Sequence, residues 1–150
     1  MEIKRMKKAE IMEQIIARSK NSMVGHLGIE ITDIGDQFIT GRMPVDQRTK
    51  HPLGRLHGGA SVAFAETLGS IGATFKIDFP NDIIVGLTVN ANHLKSVSSG
   101  WVYGKAVPVH VGKATQVWNI KISNDNADLV CNCQLTVAIV KSKSKPPSGK

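Results

Sequence analysis

Residues 60–75 read ASVAFAETLGSIGATF and carry one charged group, Glu66. The stretch is shorter than the roughly 20 residues that cross a bilayer comfortably, so it predicts a helix buried on most sides rather than a membrane segment. Gly69 and Gly72 lower helix propensity but let neighbouring backbone come close. The segments downstream have strand periodicity. DIIVGLTVNANHLK (82–95) puts Val85, Leu87, Val89 and Ala91 on one face, WVYGKAVPVHV follows at 101–111, and ATQVWNIKI (114–122) has Trp118, Ile120 and Ile122 in phase. Beyond the turn SNDNAD, LVCNCQLTVAIV (129–140) alternates with Cys131 and Cys133 on its more apolar face. Upstream, GIEITDIGD (28–36) and QFITGRMPV (37–45) suggest a hairpin turning near Gly35-Asp36. Short polar turns between strands imply an antiparallel sheet. A helix this apolar must be covered, so the expected fold class is α+β: about six antiparallel strands wrapped around one long helix.

The ends of the chain differ from its middle. Residues 1–20 hold six basic and three acidic side chains, residues 141–150 hold four lysines and no acid, and the interval between them is balanced. The net charge of +7 therefore sits at the termini, and aromatics make up only 5%. A nucleic-acid module carries its charge on the folded surface among aromatics, so no nucleic-acid partner is expected. Residues 3–19 read as a basic helix packed weakly on the domain, and KSKSKPPSGK (141–150) as a disordered lysine-rich tail. The expected organisation is a basic helix over 1–20, one domain over 21–140 and the tail. With no membrane span and no apolar stretch behind MEIKRMKKAE to make a secretory signal, a cytoplasmic location with no membrane partner is expected. Cys131 and Cys133 are the only cysteines. A C-x-C pair lacks the ligands of a zinc site, so no metal is expected and the thiols read as core residues.

Glu66 is the residue that invites chemistry, because a carboxylate in an apolar helix is costly unless paired, protonated or working. The bland alternative is a glutamate held by local hydrogen bonds at a subunit contact. His57-Gly58-Gly59 opens the same helix, where free N–H groups and the positive end of the dipole can stabilise an oxyanion on an acyl group. Glu66 lies eight residues past Gly58, about 12 Å along the axis. A glutamate cannot reach a carbonyl held at its own helix start. If both groups serve one substrate, they come from different subunits of a two-fold dimer.

RLHGGASVAFAETLGS (55–70), preceded by MPVDQRTKHPLG and followed by VGLTVNANHLKS and HVGKATQVWNIKI, resembles the hotdog-fold acyl-CoA thioesterases. The resemblance is strongest to the branch that cleaves aromatic acyl-CoAs with a helix glutamate, including 4-hydroxybenzoyl-CoA, phenylacetate-pathway and 1,4-dihydroxy-2-naphthoyl-CoA thioesterases. It covers residues 23–140 and implies hydrolysis of an acyl-CoA to free acid and thiol, with no cofactor because coenzyme A is part of the substrate. By the same resemblance, Glu66 is the nucleophile or the general base, and Gly58 donates its N–H to the thioester oxygen. His57 orients the thioester or the leaving thiolate, and Ser70 positions water or the acyl group. His51 stands where the family commonly has glutamine. Gly59, His93, Lys95, Gly112 and Lys113 fall in stretches that resemble its substrate- and CoA-binding regions. Homo-oligomers, dimers or dimers of dimers, are the implied assembly.

Two other enzymatic or binding classes compete. A hotdog hydratase or dehydratase also uses histidine and an acid, but in a different loop-helix signature with a longer separation. A non-catalytic acyl-CoA sensor would keep the fold without needing Glu66. Small and apolar residues near Glu66 (Ala63, Thr67, Ala73) leave room for an aromatic ring or a medium chain.

Overall fold

The structure is a computed structural model that describes residues 2–143, with side chains described from residue 8. The chain runs α1 (Glu2–Ser19), α2 (Met23–His26), β1 (Glu30–Ile34), β2 (Ile39–Pro44), α3 (Gly58–Thr74), β3 (Asp82–His93), β4 (Trp101–Val111), β5 (Thr115–Asn124) and β6 (Leu129–Lys141). The six strands form one antiparallel sheet in the order β1-β2-β4-β5-β6-β3. β3 precedes β4 in the chain yet pairs with β6, so it stands at an edge of the sheet. The connecting loop, 94–100, crosses the end of the sheet and is held by Leu94 N–H on Val130 O and by buried Val97.

The sheet packs against α3 through Phe64, Ala65 and Leu68 on the helix and Ile39, Met43, Val102, Trp118, Ile120, Leu135 and Val137 on the strands. Close approach is possible because glycines line the contact. A Cβ on Gly72 would lie 2.8 Å from Trp118 Cζ3, and one on Gly104 would lie 2.5 Å from Leu68 Cδ1. Trp118 Nε1–H donates to Gln116 Oε1 (2.9 Å), and Gln116 Nε2–H donates to Ala73 O (3.3 Å), which satisfies the polar atoms buried there.

The expected helix, hairpin and strands form, with four differences. α2 interrupts the approach to β1, capped by Ser22, whose side chain accepts from Val24 N–H (3.2 Å). Four residues are too few for a 3.6-residue period to register. β3 does not keep one apolar face. A bulge between Gly86 and Thr88 shifts the phase, so Val85 and Leu87 are exposed while Ile84, Val89 and Ala91 pack on the core. Lys141, expected in a disordered tail, is the last residue of β6 and pairs with Asp82 at 2.6 Å; residues 144–150 of that tail lie outside the described residues. Finally, the sheet covers only one side of α3. Val62, Ala63, Thr67 and Ser70 are half-buried and Glu66 is exposed, so Glu66 is not the buried charge that the apolar sequence suggested. A single sheet curls around one flank of a helix, and the opposite stripe stays open in the single chain.

Candidate active site

The loop before α3 is tied together by its own hydrogen bonds. Arg48 Nε and Nη2 donate to both carboxylate oxygens of Asp46, and buried Thr49 donates to Pro44 O (2.7 Å) and accepts from Asp46 N–H (3.1 Å). That hydrogen bond from Arg48 holds the Asp46 carboxyl below the ordinary aspartate range. Thr49 O then accepts from His57 N–H (2.8 Å), and Val97 O from Leu56 N–H (2.8 Å), so the helix start is tied to two loops.

His57 is the N-cap of α3. Its Nδ1 accepts from Gly59 N–H at 2.8 Å, and its carbonyl accepts from Ala60 N–H (3.0 Å) and Ser61 N–H (3.3 Å). Among the described residues, the first-turn amide that has no acceptor is Gly58 N–H. With Nδ1 occupied as an acceptor, the neutral His57 ring carries its proton on Nε2. His51 is set in the same way: its Nδ1 accepts from Leu53 N–H (3.1 Å), leaving an Nε2–H donor, and its ring meets that of His57 edge-on at 6.4 Å between centroids. His93, at the end of β3, brings Nε2 to 3.0 Å from where a Cβ on Gly58 would stand. His51, His57, Gly58 and His93 are thus gathered at one helix start.

Glu66 is two turns further along α3, against the middle of β3, where a Cβ on Gly86 would lie 3.0 Å from Glu66 Oε1. Eight helical residues put it about 12 Å from Gly58 along the axis. Ser70, one turn beyond Glu66, borders a cavity of about 250 Å³ between α1 and the second half of α3, with Ile15 and Arg18 on one wall and Ile71 and Thr74 on the other.

A profile of the family described as Thioesterase superfamily matches residues 53–131, from the loop before α3 to β6. The 1,4-dihydroxy-2-naphthoyl-CoA hydrolase of Escherichia coli is 43% identical over 129 residues, 86% of this chain and 94% of that protein. The chain belongs to the thioesterase superfamily. Solved thioesterases share its architecture. One from Pseudomonas aeruginosa, crystallised with a glutamine replaced by alanine, gives a TM-score of 0.84 at 45% identity over 87% of this chain and 94% of that one. One from Haemophilus influenzae gives 0.83 at 42% identity over 88% and 92%. The hotdog fold and thioester hydrolysis, which the sequence resemblance implied, hold for this chain.

In this thioesterase the expected binding residues do not form one group. Gly59 spends its N–H on His57, so it sets a ring instead of holding a free amide. Lys95 Nζ donates to Asp128 (2.6 Å), in an exposed pair at the same end of the sheet as His93. Gly112 and Lys113 sit in the β4–β5 turn, where Gly112 N–H donates to Thr115 O (2.9 Å). β5 pairs Thr115 with Ala138, while His93 pairs with Cys131 at the other end of β6, so the turn and His93 lie at opposite ends. Three neighbours of these residues escaped sequence reading. Gly86 makes room for the Glu66 carboxylate, Cys131 touches His93, and Leu53 stands 86% exposed at the tip of the loop beside His51. A glycine within a strand is the signal that could have found the first. No group of three or more His, Cys, Asp or Glu among the described residues could hold a metal ion, and no helix among them is long and apolar enough to cross a membrane.

Proposed function

We propose that the protein hydrolyses an acyl-CoA thioester to the free acid and CoA, with Gly58 N–H donating to the thioester oxygen and Glu66 acting on the thioester carbon. The observation that carries this reading is the helix start: three first-turn amides are engaged and Gly58 N–H alone has no acceptor among the described residues, flanked by His57 and His93. A donor fixed there stabilises the charge that develops on the carbonyl oxygen as the tetrahedral intermediate forms. Glu66 either attacks that carbon or removes a proton from the attacking water. His57, as an Nε2–H donor, orients the thioester or meets the leaving sulfur. His51 supplies an Nε2–H donor where relatives of this type commonly use a glutamine amide. Ser70 positions water or the acyl group, whose aromatic ring or medium chain extends into the cavity past it. Coenzyme A is substrate, and the chemistry assigned here uses no cofactor or metal.

If both groups serve one substrate, their separation along α3 means that the site is built from two half-sites of a homodimer or a dimer of dimers. The outer edge of β3 pairs with no strand among the described residues and carries exposed Ile83, Val85 and Leu87, which suits antiparallel pairing with a second copy. Such pairing reverses one β3 against the other. It brings the partner's helix start towards Glu66, and the β4–β5 turn with Gly112 and Lys113 towards the end where the partner holds Gly59, His93 and Lys95. Lysines there suit the phosphates of CoA. A cytoplasmic enzyme without nucleic-acid or membrane partners fits this chemistry.

Thiol release over a panel of aromatic and aliphatic acyl-CoAs, with Glu66→Gln alongside, tests the reading. Turnover on a panel member that disappears in Glu66→Gln while binding persists is expected. Binding without release from any ester would point to an acyl-CoA sensor.

A further inference from the structure

His93 and Cys131 are direct cross-strand partners in β3 and β6, and such pairs project to one face of the sheet. Cys131 Sγ lies 3.5 Å from His93 Nδ1 and 3.5 Å from Cys133 Sγ. Burial pushes the Cys131 thiol up and the Cys133 thiol up to about 12, so both keep their protons at neutral pH. A thiol sulfur accepts hydrogen bonds weakly, whereas an imidazole lone pair accepts them well. Of the arrangements that these 3.5 Å contacts allow, the one in which Cys131 S–H donates to Nδ1 and Cys133 S–H to Cys131 Sγ uses the better acceptor at the ring. The opposite corner of the same ring, Nε2, overhangs Gly58, whose N–H has no acceptor among the described residues.

We propose that Cys131 is a positioning residue: its thiol donates to His93 Nδ1, holds the imidazole as the Nε2–H tautomer, and so places a second hydrogen-bond donor beside Gly58 N–H. The kinetic consequence rests on the reading of Gly58 as the donor to the thioester oxygen; the tautomer does not. Without the thiol, the neutral ring is free to carry its proton on Nδ1, and Nε2 then presents a lone pair where negative charge develops.

Long-range ¹H–¹⁵N correlation spectra of the full-length protein read the tautomer of each histidine. We expect His93 as Nε2–H in the wild type and in Cys131→Ser, and as a mixture of tautomers in Cys131→Val. In thiol-release assays, Cys131→Val lowers kcat about five- to tenfold with KM unchanged, as loss of one neutral hydrogen bond predicts. Cys131→Ser recovers the rate. In a His93→Ala background the valine substitution has no further effect, because the two residues act as a unit. Nδ1–H in the wild-type spectrum overturns the proposal, and that spectrum is decisive even if Cys131→Val does not fold. An unchanged His93 tautomer in Cys131→Val, or an equal loss of rate with and without His93, also overturns it, the latter because packing alone would then account for the effect. If Glu66→Gln leaves hydrolysis intact, the hydrolytic reading fails while the tautomer result still stands.

Discussion

Gly86→Ala isolates the contact that places Glu66 without altering a polar group. The added methyl would stand 3.0 Å from Glu66 Oε1, tighter than such atoms usually pack. Gly86 is an exposed edge-strand residue without positive φ, so its backbone accepts alanine. Replacing glycine at such a site stabilises by about 0.4–1 kcal/mol through the unfolded chain. For a domain of this size that raises the melting midpoint by roughly 1–4 °C. The carboxylate yields instead, by some tenths of an ångström. Since a misplacement of about 1 Å costs up to roughly 100-fold in rate, we expect kcat to fall about tenfold in Gly86→Ala and further in Gly86→Val. KM changes little, because the helix start that holds the carbonyl is untouched. The assay is thiol release from the best acyl-CoA of the panel, paired with thermal unfolding of the same samples. Full turnover in Gly86→Ala, with Glu66→Gln inactive, would refute the idea that β3 holds the carboxylate in its working position. A rate loss that tracks a fall in melting midpoint would refute it too.

Three further outcomes follow from the same structure. Gln116→Leu strands Ala73 O and Trp118 Nε1–H in the core, at a cost of about 3 kcal/mol, so the melting midpoint falls by roughly 6–12 °C. His57→Asn retains a good N-cap but loses the Nε2–H donor, so thermal unfolding stays close to wild type while turnover falls about 100-fold; His57→Ala also loses about 1 kcal/mol of stability with the cap. Asp46 titrates below its ordinary value of 3.8 because Arg48 hydrogen-bonds it. A depressed folded value gives stability that is present above the unfolded pKa and is lost as pH falls through the folded one. Melting midpoints of Asp46→Asn from pH 7 down to 2 should therefore converge on those of the wild type at the acid end.

Local patterns carried much of the molecule. The run of apolar and small residues from Ala60 to Phe75 encodes a helix within its own length, Trp118, Ile120 and Ile122 encode a strand face, and His57-Gly58-Gly59 encodes a helix start. The spacing from Gly58 to Glu66 was enough to separate the two groups by about 12 Å along the helix. All of these depend on neighbours a few positions apart, where the helix and strand periods act.

What tertiary structure alone decided lies in contacts between distant residues. Strands compete for partners across the whole sheet, so succession in the chain does not reveal that β3 bypasses β4 to lie on β6. That pairing sets His93 opposite Cys131 and over Gly58, 35 positions away, and sets Gly86 against Glu66. The bulge after Gly86 turns Val85 and Leu87 outward and Val89 and Ala91 inward, a change of phase that alternation cannot foresee because it needs the register of the facing strand. Even the exposure of Glu66 belongs to this class. Hydrophobicity shows that a helix must be covered, but only the curl of one sheet shows which stripe a single chain leaves open.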